Sequence, residues 1–299
     1  MFLLRALLVR IALVIVLTKA VEAETLKWFC DSQTMNLSSA GVPMDGGYRF
    51  ELGVFAAGFT PTAANTAQWS ANWSAAQRVV YNGTTRVFTG VYTVTSNAAP
   101  FTVGANAYVW GFGGRAGNEW ILFRAPSWIW PAPNPIDPFG LDWNAKDATQ
   151  VIVGNIHASG SPFLMQASAV VSSVPPSSTY AQWRNEELSG VALNGPEDDA
   201  DGDGIKNLLE FVFGTRPLTL DALPPIGTTM VGGSIQLTVP RRLDRTASVA
   251  LETSTGLSGW TSAISGVTVT SNGPEARILS VSVGSDSRRF FRVVFTASP

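Results

Sequence analysis

An all-β protein is what the sequence predicts, on three observations. Gly and Pro number 28 and 18 in a chain of 299 residues and punctuate it with turns. Large apolar residues alternate with small or polar ones over short runs, the period of a half-buried strand. Beyond the N-terminus the chain has no long Ala/Leu/Glu/Lys runs of the kind that build helices. The length sits near the limit of a single hydrophobic core, so more than one domain is expected.

Composition removes several chemistries. The only Cys is Cys30, so no internal disulfide can form. Cys30 and the only His, His157, are too few for a structural zinc site, which takes four Cys/His ligands. A formal charge of −2 speaks against a nucleic-acid binder, which carries a basic field.

Residues 1–23 read as a secretory signal peptide. Arg5 and Arg10 form a basic start, Ile11 to Leu17 an apolar run, and Val21-Glu22-Ala23 a small-residue cleavage site. Lys19 closes the run well short of the roughly 20 residues that a membrane span needs. Cleavage is therefore expected after Ala23, leaving no transmembrane span and a secreted, extracellular or cell-surface protein.

Charge and Pro divide the rest. Residues 24–176 are sparsely charged and end at Pro175-Pro176. Residues 177–224 carry three basic and nine acidic side chains and end at Pro224-Pro225. Residues 225–299 carry seven Arg and four acidic side chains. Such Pro pairs act as short stiff spacers.

In the N-terminal region, strands are expected at 47–55, 85–95, 107–112, 120–124, 149–153 and 163–171, making a large antiparallel β-sandwich or jelly roll. In the C-terminal region, they are expected at 235–239, 248–253, 267–270, 278–283 and 290–295, making a small immunoglobulin-like β-sandwich.

The acidic segment between them holds the one specific motif. Asp199-Ala200-Asp201-Gly202-Asp203-Gly204-Ile205-Lys206-Asn207-Leu208-Leu209-Glu210 fits the calcium-loop pattern D-x-[DN]-x-[DN]-G-x5-E throughout. Calcium takes six to eight hard oxygens. Asp199, Asp201 and Asp203 offer carboxylates, Ile205 its backbone carbonyl, Asn207 a direct or water-mediated contact, and Glu210 a bidentate carboxylate. Gly204 allows the sharp turn. Ile205, Leu208, Leu209 and Val212 form a helical apolar stripe, with Gly214 placed to cap the helix and Pro217 to end it. Gly195-Pro196 interrupts any incoming helix, so this is half of a two-helix hand. The expected cofactor is Ca2+, and the segment is expected to be a calcium-loop–helix junction.

Asp199 to Pro217, with Tyr180-Ala181-Gln182-Trp183-Arg184 before it, resembles the dockerin-like and thrombospondin type 3-like calcium repeats of exported multidomain proteins of Verrucomicrobia and Planctomycetes. The resemblance covers roughly 40 residues. It implies a secreted protein with a calcium-stabilised junction, and it implies no enzyme activity. Dockerins use two such loops to grip a cohesin, whereas this chain shows one. Thr215-Arg216-Pro217 also departs from the Thr-Asp-Pro of the repeat, with Arg where a further oxygen would stand.

Two readings stay open for the large N-terminal region. As an enzyme it lacks a G-x-S-x-G elbow for His157 to serve, but Glu51 and Glu119 lie on expected strands and would make a glycosidase pair if they shared a groove. As a binding module it offers Trp28, Trp69, Trp73, Trp110, Trp120, Trp128, Trp130 and Trp143, which either stack on sugar rings or fill the core. The expectation is a noncatalytic binding or structural protein, with a polysaccharide or another surface protein as partner and no nucleic acid. The alternative is a polysaccharide-active enzyme or carbohydrate-binding module.

Overall fold

The computed structural model describes residues 24–31, 35–113, 117–133, 140–170, 173–262, 266–272, 276–284 and 288–297. The expected signal peptide lies outside them. Strands in several sheets dominate, and the fold is all-β.

A six-stranded sheet forms the spine of the N-terminal region. Its path runs β12 (Ser168–Ala169), β7 (Glu119–Arg124), β6 (Ala107–Gly113), β3 (Arg49–Phe55), β4 (Trp73–Val80), and β9 (Gln150–Val153) pairs with the second half of β7. A second sheet, β5 (Thr89–Val94), β1 (Glu24–Phe29) and β8 (Leu141–Asn144), shares its core. A third, minor sheet joins β10 (Asn155–Ile156), β11 (Met165–Gln166) and β2 (Asn36–Leu37). The β1–β8 and β11–β2 pairs are parallel, so the expected antiparallel arrangement holds for most pairs but not for these.

Period-two geometry sends alternate residues of the spine to opposite sides. Phe50, Leu52, Val109, Ile121 and Phe123 meet Leu26, Trp28 and Trp143 of the second sheet. On the reverse side, Tyr108, Trp110, Phe112, Trp120 and Leu122 meet Trp69 from the single turn α1 (Trp69–Asn72). Every residue of β3 and β6 is therefore buried, because an aromatic layer covers the face that simple alternation would leave wet.

The expected strands at 47–55, 107–112 and 120–124 appear as β3, β6 and β7. The run 85–95 starts only at Thr89, since Asn82 to Val87 form a turn in which Arg86 takes φ 62°. The run 163–171 divides into β11 and β12, with Val171 outside the described residues.

Two helices make the junction. In α2 (Tyr180–Glu187), Thr179 and Gln182 form a reciprocal capping box at the N-terminus. α3 (Asn207–Phe213) ends at Gly214, whose φ of 75° is the left-handed cap that Gly adopts without a Cβ penalty. Its buried residues are Asn207, Glu210, Phe211, Val212 and Phe213, while Leu208 and Leu209 are half-buried. The expected stripe is thus displaced, because α3 is packed from more than one side. Phe211 meets Tyr180 and Trp183 of α2, and Phe213 lies 5.0 Å from Phe295, ring centre to ring centre.

The C-terminal region is a sandwich. One sheet runs β13 (Gly227–Val231), β14 (Ser234–Pro240), β18 (Ala276–Ser282), β17 (Val267–Asn272), and the other β16 (Thr261–Ser262), β15 (Ala247–Ser254), β19 (Phe290–Ala297). Leu237, Val239, Leu251, Leu279 and Val281 fill the space between. With β16 standing as a C′ strand, the order is that of an A-B-E-D sheet against C′-C-F, an immunoglobulin-like arrangement.

The junction is tied to both sandwiches. Ser178 forms a parallel bridge with Arg245, its N–H donating to Asp244 O at 3.0 Å. Arg49 of β3 pairs with Glu186 (3.4 Å) and Glu187 of α2. Arg78 of β4 reaches Ser178 from the aromatic side of the spine.

Candidate metal centre

The chain leaves α2 at Glu187 and runs without a helix to Asn207. Within that stretch one carboxylate oxygen each of Asp199, Asp201 and Asp203 lies within 4.8 Å of the others. Backbone amides turn the loop inward. Asp199 accepts from Gly202 and Gly204 at 2.8 Å each, Asp201 from Asp203 at 3.1 Å, and Asp203 from Ile205 at 2.8 Å. Gly202 and Gly204 hold φ of 81° and 91°, a conformation that a residue with a Cβ adopts only under strain.

Glu210 stands in the first turn of α3, outside the three-Asp group. It is wholly buried, and neither carboxylate oxygen has a hydrogen-bond partner. Its pKa is pushed up to about 7, first by burial and then by Asp201, Asp203 and Asp199. The buried Thr215 Oγ1 pulls the other way but makes no well-formed hydrogen bond. Asp201 Oδ2 and Asn207 Oδ1 are likewise buried and unpartnered. Acceptor oxygens that are costly to bury unpaired thus collect in one segment whose net charge is strongly negative. The three Asp form a group able to hold a metal ion; Glu210 lies outside that group, though near enough for the three carboxylates to raise its pKa.

The other expected ligands are placed differently. Ile205 is buried and leads into α3. Asn207 spends its amide N–H groups on Leu193 O (3.1 Å) and Gly195 O (2.9 Å), and its backbone N–H on Asp198 O (2.8 Å). It clamps the chain that enters the loop. Sequence spacing missed two contributors, Thr215 and Asp221. The Asp221 backbone N–H donates to Asp203 Oδ2 at 2.9 Å, while its carboxylate pairs with Arg216 at 3.1 Å. The chain after Gly214 brings Thr215 beside Glu210 and Asp221 back to Asp203, and no local pattern encodes that return.

The candidates on the large sandwich are dispersed. Glu51 is cross-strand to Trp110, whereas Glu119 is cross-strand to Gly113, so the two project from opposite faces of one sheet. Glu51 is buried, pairs with Arg78 (2.5 Å) and accepts from Trp73 Nε1 (2.6 Å). Burial raises its pKa against the opposing pull of Arg78 and Trp73. Glu119 accepts from Ser39 N–H (2.8 Å) and the Tyr48 hydroxyl. They share no groove, which removes this pair as a glycosidase constellation. His157 lies in an exposed turn against Phe163. Of the eight Trp between 28 and 143, Trp73 alone is half-buried and the others are buried. Core packing accounts for them.

Among known proteins, no family model matches the chain and no curated protein matches it in sequence.

Proposed function

We propose that this is a secreted or cell-surface protein, noncatalytic, in which one Ca2+ seats among Asp199, Asp201, Asp203 and Glu210 and rigidifies the junction between two β-sandwiches. The observation that carries the reading is Glu210, buried with both oxygens unpartnered beside three further carboxylates. A hard divalent cation held by the three Asp would draw in the Glu210 carboxylate as the fourth, and calcium suits an all-oxygen site with a flexible loop. Ile205 O, Asn207 Oδ1 and Thr215 Oγ1 are offered as further oxygens, the last two being buried without partners. The leader pattern of residues 1–23 supports export, and Ca2+ is plentiful outside cells. Burial of the Trp rings favours another surface protein over a polysaccharide as partner.

At the roughly 0.1 to 1 mM affinity of extracellular modules, millimolar calcium adds on the order of 0.4 to 1.4 kcal/mol by mass action. The thermal midpoint of the leaderless chain is expected to rise with calcium and to ignore it in Asp203→Ala. An equal calcium shift in both proteins would falsify the proposed site.

A further inference from the structure

On one flank of the small sandwich both sheets are open. The order A-B-E-D against C′-C-F stops at strand F, whereas a constant-type immunoglobulin sandwich sets strand G beside F. β19 stands as F, and among the described residues no strand pairs with its outer edge. It is eight residues long and runs against β15 in unbroken register. Natural sheets guard such an edge with Pro, inward charges, a bulge or a very short strand. β19 has none of these. Its one charge, Arg292, lies on the solvent face and pairs with Glu252 of β15.

The side chains beneath that edge are incompletely covered. Phe291, Val293 and Phe295 pack on the core, yet all three are only half-buried, whereas Leu237, Leu251 and Leu279 of the inner strands are buried. On the facing sheet, register sets Met230 opposite Ile235 and Thr228 opposite Leu237, so both belong to the inner side. Both are exposed, Met230 by 60%, because β13 reaches one strand beyond β19. α3 packs on the end of β19 at Phe295 and Ala297, so the open stretch is the half from Phe290 to Val294. The edges of β13 and β17 are also unpaired among the described residues, but neither strand carries an aromatic residue.

We propose that the outer edge of β19 is a docking site for an extended segment of another protein, which joins the sheet in the place of strand G. Main-chain hydrogen bonds hold the segment antiparallel to β19, and its alternate side chains fall between Phe291, Val293 and Met230. The occupant therefore carries small apolar residues at every second position. Its charge follows from the host. Residues 225–299 bear seven Arg against four acidic side chains. Three of those Arg gather at the start of β19: Arg288 and Arg289 just before it, and Arg292 within it, all exposed. A strand antiparallel to β19 brings its C-terminal end to these three, so that end is acidic. A second copy of this chain is the poorer occupant, because the overhanging β13 strands collide before two β19 edges can meet.

The test uses the leaderless chain in calcium and a fluorescein-labelled peptide that alternates Thr with Val three times and ends in two Glu. Saturable binding by fluorescence anisotropy is expected. It should weaken at least tenfold for a peptide of the same composition with its Val residues side by side, and at least tenfold in Met230→Asp. Met230 is exposed, so that variant keeps the fold and sets a carboxylate where the apolar residues of the peptide must lie. Arg288→Glu should weaken binding and lessen its dependence on salt. Amide exchange locates the site: the peptide is expected to slow the outward amides between Phe290 and Val294 and to leave β17 unchanged. No saturation, equal binding of the two peptides, or protection confined to β13 or β17 overturns the proposal. So does dimerisation of the chain alone that Met230→Asp abolishes, since a second copy then occupies the edge. The calcium shift in thermal midpoint is read separately, so the metal site and the docking site stand or fall independently.

Discussion

Glu210 shows how one buried carboxylate beside a candidate metal site bears on stability. Without an ion its folded pKa is about 7, against about 4.3 for an unfolded Glu. Between those values the folded protein holds a proton that the unfolded chain has released. Stability through this group therefore falls as pH rises from about 4.5 to 7 and stays reduced above. In chelator, the wild-type protein is expected to lose stability over that window relative to Glu210→Gln, as read from urea midpoints. Parallel pH profiles for the two would show that the buried carboxylate carries no such cost. Calcium affinity should drop as pH falls below 7, because the ion competes with that proton. Asp244 works in the opposite direction. Burial opposes its ionisation, but Arg242 and Arg245 outweigh burial and hold its pKa well below the usual range. The stability it confers is present above about pH 4 and is lost only as pH falls further, toward the depressed folded pKa. Asp244→Asn leaves two buried guanidinium groups without a carboxylate and is expected to cost about 3–5 kcal/mol in denaturant unfolding.

At the scale of elements, α2 and α3 are each too short to stand alone, since isolated helices under about 12 residues are marginal in water. Each is held by its ends and by one ring cluster. Thr179 accepts from Gln182 N–H at 3.2 Å and Gln182 returns the contact to Thr179 N–H at 2.9 Å. Thr179→Ala is expected to cost about 1 kcal/mol, seen as a lower midpoint with an unchanged denaturant slope. The helix cap at Gly214 was legible in the sequence because left-handed backbone favours Gly by local sterics. The buried face of α3 was not, because Tyr180, Trp183 and Phe295 select Phe211 and Phe213 from outside the helix.

For the molecule as a whole, the acidic loop lies at one end of α3, and the other end bears on β19 and Arg242. Loosening the loop should therefore be felt in the small sandwich before the large one. Chelation is expected to speed amide hydrogen exchange in α3 and β19 and to leave β6 and β7 unchanged. Uniform acceleration throughout, or none, would contradict a strut acting through α3. The large sandwich needs no such support, with an aromatic core on each side of its spine.

Strand class, the two-sandwich plan and the acidic loop were determined by the sequence itself, because each rests on local physics: period-two alternation, Pro and Gly dihedrals, and ligands spaced two residues apart. The strands β1, β4, β8 and β13 escaped it, as did the two-residue β2, β10 and β16. Trp73 to Val80 alternates poorly, and its place at the edge is set by pairing with β3. Only the tertiary structure decided which face each Trp serves, that Glu51 and Glu119 stand back to back, and that Asp221 returns to the acidic loop. Those facts depend on contacts between residues far apart in the chain, where burial and charge balance act and sequence spacing carries no signal.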